Sequence, residues 1–103
     1  MSRGKWEPEI TEEEAAFVLG RLFVRQRIEL GISQAEVARR TGMARPNISR
    51  LERGRGPHCP LVWTVLRMAA ALELEPSVLF SVLDSRHGDA ELPMGTASED
   101  GRR

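Results

Sequence analysis

Residues 34–54 constrain the fold more than any other part of this chain, because they read as two short helices joined by a tight turn. Two helices that cross steeply need a small residue at the crossing, which Ala38 supplies. The turn between them needs a residue that tolerates a left-handed backbone, which Gly42 supplies. The inner faces of both helices need apolar side chains, and the sequence has four at compatible spacing: Val37, Met43, Ile48 and Leu51. The segment therefore predicts crossed helices over about 34–40 and 45–53.

Two capping boxes mark where the first two helices begin. Thr11 with Glu14 predicts the start of a first helix that runs to about residue 30, and Ser33 with Glu36 predicts the start of the second. Ala44 precedes the third helix, so that helix is expected to begin with a weaker cap.

The rest of the chain predicts two more helices and two polar ends. Helices are expected over about 61–72 and 76–83, and no segment alternates as a strand does. The fourth helix is expected to bury the apolar residues Val62, Val65, Leu66, Met68, Ala69 and Leu72, with Trp63 covering the edge of the core. A chain of 103 residues suits one domain. We expect an all-α domain of about five helices over 11–84, a flexible N-terminal arm over 1–10, and a disordered C-terminal tail over 85–103.

Positive charge is concentrated in the middle of a chain whose formal net charge is zero. Residues 21–58 carry nine arginines against three glutamates, a net charge of +6. On the third helix the predicted outer face is polar and basic, and consists of Arg45, Pro46, Asn47, Ser49, Arg50 and Arg53. Arginine can pair with guanine edges and with phosphates, and asparagine can pair with adenine. The pattern therefore favours nucleic acid as a partner.

The order and spacing of these elements resemble the phage repressor/Cro-type helix-turn-helix family, also called the XRE family. Residues 27–38 are similar to the junction of that family's first two helices, and residues 48–54 are similar to the exit of its recognition helix. The fourth-helix pattern also matches, at Pro60, Val65, Ala69 and Leu72. The resemblance covers about residues 17–80, and it implies a compact lambda-repressor-like DNA-binding domain.

The resemblance also implies roles for individual residues. Base readout falls on the start of the third helix, at Arg45, Pro46, Asn47 and Arg50, and Pro46 can make only apolar contact there. Phosphate contacts fall on Ser33, Gln34, Arg39, Arg40, Ser49, Arg53 and Arg55. Arg27 and Glu52 match a buried ion pair with a structural role.

These features predict a sequence-specific transcriptional regulator, a repressor that binds double-stranded DNA as a homodimer. We expect the dimer contact on the fifth helix, at Leu79, Phe80, Val82 and Leu83. Two alternatives stay open at this point. One is a DNA-binding antitoxin that holds a toxin through residues 1–14 or 86–103, and the other is a protein-interaction module that has lost DNA binding.

Several function classes find no support in the sequence. There is no Ser/His/Asp or Cys/His constellation in a plausible context and no phosphate-cradling glycine loop, so we expect no enzymatic activity and no cofactor. His58 and Cys59 are adjacent, but no other thiol exists to complete a metal site. No apolar run reaches about 18 residues and no leader is evident, so we expect a cytoplasmic protein.

Overall fold

Five helices make up the regular structure of the described residues, in agreement with the sequence. The computed structural model describes residues 6–55 and 59–84. The helices are α1 (Glu12–Leu30), α2 (Gln34–Thr41), α3 (Arg45–Arg53), α4 (Val62–Ala71) and α5 (Pro76–Asp84). No strand occurs within these two ranges, and none of their helices is both long and apolar enough to cross a membrane. The predicted tail, and residues 1–5 of the predicted arm, lie outside the described residues.

The helix starts follow the capping signals, with one difference. At α1 the box is complete, because Thr11 Oγ1 accepts from the Glu14 amide at 3.0 Å and Glu14 Oε1 accepts from the Thr11 amide at 2.9 Å. At α2 the Ser33 hydroxyl accepts from the Glu36 amide at 3.0 Å. The Glu36 carboxylate instead accepts from two arginines of α2, because guanidinium donors make stronger hydrogen bonds than a backbone amide does. No side chain caps α3 at Ala44, as the sequence predicts.

The core lies among all five helices. α1 packs against α3 and α5, α2 packs against α3 and α4, and α4 also packs against α5. The largest fully buried side chains come from all five helices: Phe23, Leu22, Ile48, Met68, Leu72, Val37 and Val82. Burying a side chain of this size contributes about 1.5–3 kcal/mol.

α1 and α3 approach each other closely at two glycines. A β-carbon at Gly20 would lie 2.7 Å from the Glu52 carbonyl oxygen, and one at Gly54 would lie 2.6 Å from the Ala16 carbonyl oxygen. Both distances are shorter than a carbon–oxygen contact allows, and both obstacles are backbone atoms. The absence of side chains at these two positions therefore sets how near α3 sits to α1.

The first turn of α4 is exposed, although the periodicity predicts that it is buried. Val62 is 70% exposed and Trp63 is 68% exposed, so the prediction that Val62 is buried and that Trp63 covers the core edge was wrong. Leu61, immediately before the helix, is also exposed. The apolar residues of α4 continue toward its N-terminus past the last turn that packs against a neighbouring helix. The periodicity of apolar residues does not show where that packing ends.

The apolar residues of α5 divide between the core and the surface. Leu79 and Val82 are buried and belong to the hydrophobic core, and Leu83 packs partly against it. The prediction that Leu79 and Val82 form a dimer contact was therefore wrong, because α5 uses them to pack against its own domain. Phe80 is 66% exposed, so a dimer contact at this residue stays a prediction.

Candidate nucleic-acid interface

α3 has one face that anchors it and one face that meets solvent. Ile48 is fully buried and Glu52 is nearly so. The exposed residues of the opposite face are Arg45, Pro46, Arg50 and Arg53. Glu52 is the only acid in α3, and it points inward to an arginine of α1. The outward face therefore carries positive charge, neutral polar groups and the apolar Pro46, without any acid, as a helix that enters a DNA groove requires.

The four predicted base readers lie in the first two turns of α3. Arg45, Pro46 and Arg50 are exposed, and Asn47 is half-buried. The Arg50 guanidinium donates from Nη2 to Asn47 Oδ1. Pairing with adenine uses both polar atoms of an asparagine amide, so Asn47 can make that pair only if Arg50 releases its oxygen. In the structure as it stands, Asn47 orients Arg50.

A nearly buried ion pair holds α3 against α1 and α2. Arg27 Nε lies 2.6 Å from Glu52 Oε2 and Arg27 Nη2 lies 3.2 Å from Glu52 Oε1, with 18% and 6% of the two side chains exposed. Gln34 Nε2 donates to Glu52 Oε1 at 2.8 Å, and Arg27 Nη1 donates to the Ile32 carbonyl at 3.1 Å. One carboxylate thus receives donors from two other helices. This network fixes the orientation of the helix whose outer face is basic.

The predicted phosphate contacts at the start of α2 are Ser33 and Gln34. Ser33 is exposed, and its hydroxyl caps the helix. Gln34 is half-buried and is held by Glu52. The remaining free amides of the first turn are what a phosphate at this helix end would meet.

Arg39 and Arg40, also predicted to contact phosphate, share one carboxylate. Arg39 Nη2 lies 2.6 Å and Arg40 Nε lies 2.9 Å from Glu36 Oε2. Hydrogen bonds from Arg39 and, to a smaller extent, Arg40 lower the pKa of Glu36 from 4.5 to about 2, and the hydrogen bond to Glu36 raises the pKa of Arg39. Arg39 remains largely exposed, whereas Arg40 is also bound to the C-terminal end of α4. The two neighbours therefore differ in how freely they can reach a phosphate.

The exit of α3 carries the other predicted phosphate contacts. Arg53 Nη1 donates to Ser49 Oγ at 2.8 Å, which places Ser49 and Arg53 on one flank of the helix. Arg53 and Arg55 are both exposed. Within residues 6–55 and 59–84, neither of these arginines nor Arg45 forms an ion pair with an acid. Their charge is available to an external anion.

One residue whose role the sequence did not predict is Arg67. It is the only charged side chain of α4, and it donates to the Thr41 carbonyl at the end of α2. A lone arginine in an otherwise apolar helix was the signal that could have identified it, because such a residue needs a specific partner.

Comparison with known proteins agrees with this geometry. Residues 18–79 match a family described as a helix-turn-helix domain. Among curated proteins, none matches the chain. The chain is similar to the restriction-modification controller protein C.Esp1396I, solved as a tetramer in complex with its natural 35 base-pair operator, with a TM-score of 0.60 and 21% identity over 70% of this chain and 92% of that one. The wild-type controller protein gives a TM-score of 0.59 and 22% identity over the same shares. At these identities the likeness establishes a shared fold.

Proposed function

Because this chain belongs to the helix-turn-helix domain family, we propose that it is a sequence-specific DNA-binding transcriptional regulator that acts as a repressor. The membership confirms the resemblance drawn from residues 27–38 and 48–54. The observation that carries the proposal is the outward face of α3, where three exposed arginines stand on a helix anchored from behind by Ile48 and Glu52.

In the proposed complex α3 lies in the major groove. Arg45 and Arg50 donate to base edges, Asn47 either pairs with a base or holds Arg50, and Pro46 contacts an apolar group such as a thymine methyl. Arg53 and Arg55 bind phosphates beyond the helix, and the N-terminus of α2 with Ser33, Gln34 and Arg39 binds a phosphate on the other side.

Selection of bound sequences from random DNA tests this function directly. We expect a preferred sequence with two half-sites about 34 Å apart, one helical turn of DNA. Arg45→Ala should then weaken binding to that sequence by about 1–3 kcal/mol and relax the preference at one base pair, because it removes a bidentate contact. Arg21→Ala is the matched control, since it removes an exposed arginine of α1 that no predicted contact uses.

Mobility shifts at two salt concentrations separate this function from a protein-interaction module. DNA binding through several phosphates weakens steeply as salt rises, because bound counterions are released. A protein that selects no sequence and shows no salt-dependent shift would defeat the proposal.

We also propose that the protein binds DNA as a homodimer. A domain this small covers few base pairs, and two copies on paired half-sites raise both affinity and specificity. Among the exposed apolar residues, we place the contact at the start of α4, with Leu61, Val62 and Trp63, or at Phe80 on α5. C.Esp1396I, which shares the fold, is a tetramer on its operator.

Sedimentation of the free protein tests the homodimer and its contact. We expect Trp63→Ser or Phe80→Ser to shift the protein toward monomer while leaving the helical content unchanged. A wild-type protein that is monomeric both free and on DNA would contradict the homodimer.

The antitoxin alternative depends on residues 1–14 or 86–103, and residues 1–5 and 85–103 lie outside the described residues. Its test is whether a second, toxin-like chain copurifies with this protein.

A further inference from the structure

Two arginines that point in opposite directions tie the end of α2 to the end of α4. Arg67 of α4 donates from Nη2 to the carbonyl oxygen of Thr41, the last residue of α2. Arg40 of α2 donates from Nη1 to the carbonyl oxygen of Ala71, the last residue of α4, at 2.9 Å. The last carbonyls of a helix have no partner within the helix, and the helix dipole favours a cation there. Each guanidinium therefore caps the C-terminus of the other helix, and we call this pair the clasp.

The clasp ends at the turn that leads into α3. The Thr41 hydroxyl donates to the Val37 carbonyl at 2.9 Å and accepts from the Met43 amide at 3.1 Å. The Gly42 amide donates to the Ala38 carbonyl at 2.8 Å. The Thr41 carbonyl is thus bonded to Arg67 of α4, and the Thr41 hydroxyl is bonded to the Met43 amide in the turn before α3. Thr41 therefore connects α4 to this turn.

Arg40 holds three acceptors among the described residues. Besides Ala71, it donates to Glu36 at 2.9 Å and lies 3.5 Å from a carboxylate oxygen of Glu73. Glu73 adopts a left-handed backbone with φ of 60°, which an L-residue seldom does, and it stands just beyond α4 where its side chain reaches Arg40. A DNA phosphate that bound Arg40 through Nε or Nη1 would have to displace an acceptor that the nitrogen already holds. Arg39, by comparison, has only Glu36 as its acceptor among the described residues.

We propose that Arg40 and Arg67 are positioning residues for DNA recognition, rather than phosphate contacts. They fix the α2–α3 turn against α4 and so set the direction in which α3 presents its arginines. This inference rests on the proposed function, and it reassigns Arg40 from the phosphate contacts to the clasp. Base readout depends on the angle of α3, whereas phosphate attraction depends mainly on charge. Loss of the clasp should therefore reduce sequence preference more than general DNA affinity.

The test compares four variants on a selected sequence and on random DNA across a salt series. The variants are Arg67→Ala, Arg67→Lys, Arg55→Ala as a predicted phosphate contact, and Arg21→Ala as the neutral control. We expect Arg67→Ala to bind the selected sequence about tenfold more weakly than the control, as the loss of one charge-assisted hydrogen bond would give, while random DNA binding matches the control. Its salt slope should be unchanged, whereas Arg55→Ala should weaken both DNAs and lower the slope by about 0.9.

Arg67→Lys keeps the positive charge and one group that can donate to the Thr41 carbonyl, so it should recover most of the sequence preference. It also takes the place of Arg67→Ala in the comparison if that variant does not fold. Amide exchange in the free protein is the second readout. In Arg67→Ala the amides of Gly42 and Met43 should exchange faster than in the wild type, whereas the amide of the core residue Phe23 should exchange at an unchanged rate.

The proposal is overturned if Arg67→Ala keeps the wild-type sequence preference, if it behaves like Arg55→Ala in the salt series, or if exchange accelerates equally throughout the domain. A wild-type protein without any preferred sequence would instead defeat the proposed function, and the exchange comparison would still decide whether the clasp holds the turn.

Discussion

Replacing Gly54 with alanine should destabilise the fold more than the same change at Gly31, although both glycines end a helix in the left-handed region. Gly54 has φ of 60° and Gly31 has φ of 70°. A β-carbon at Gly31 would meet nothing within 4 Å, whereas one at Gly54 would lie 2.6 Å from the Ala16 carbonyl oxygen and 2.8 Å from the Phe17 α-carbon. The two substitutions therefore share a backbone cost and differ in a steric one.

The magnitudes follow from these two terms. A left-handed backbone costs an alanine about 1–2 kcal/mol, and the lower entropy of the unfolded alanine chain returns about 0.4–1 kcal/mol. Gly31→Ala should thus lose about 1 kcal/mol. Gly54→Ala adds an overpacking cost of about 1–3 kcal/mol, because backbone atoms of α1 cannot rotate away as a side chain can.

Urea unfolding gives the free energy of unfolding of both variants and the wild type, and thermal unfolding gives their melting temperatures; both are followed by far-ultraviolet circular dichroism. The difference between them should lower the melting temperature of Gly54→Ala by about 5 °C or more relative to Gly31→Ala. Equal losses of free energy in the two variants would contradict this expectation, since they would mean that α1 moves away from α3 at negligible cost.

Two further predictions concern carboxylates in contrasting environments. Glu52→Ala should lower the free energy of unfolding by about 3 kcal/mol, because it leaves the guanidinium of Arg27 largely buried without its charge partner, and a loss below about 1 kcal/mol in chemical denaturation would contradict this. Arg39 and Arg40 lower the pKa of Glu36 to about 2, so its stabilising contribution should be complete above pH 4.5 and lost as the pH falls to about 2. Carbon-13 chemical shifts of the Glu36 carboxyl, followed against pH, should show a titration midpoint at about 2. Glu36→Gln should remove the loss of stability that Glu36 causes between pH 4.5 and about 2. A midpoint near 4.5 would contradict the pairing with the two arginines.

The sequence predicted the elements whose signals are local. The Thr11–Glu14 box, the glycine that ends α2 and the exposed basic face of α3 each depend on residues within one or two turns, and the structure has all three. Family resemblance supplied the long-range Arg27–Glu52 pairing, which no local pattern contains.

Features that depend on the relative placement of helices were not predictable in this way. Whether Val62 and Trp63 are covered depends on where the neighbouring helices end in space. Whether Arg40 meets DNA or α4 depends on a carbonyl 31 residues away. The second capping box is half-formed for a related reason. The Glu36 carboxylate could accept from the Ser33 amide or from Arg39 and Arg40, and the sequence alone does not show which of these donors it binds.

The hydrogen bond between Arg50 and Asn47 bears on how operator preferences should be described. If these two side chains meet DNA while bonded to each other, the base that one prefers depends on the state of the other, so the energies of two adjacent base pairs will not add. A scoring scheme that treats each operator position independently would then misjudge pairs of changes at those positions, and replacing either side chain would alter the preference at both of them.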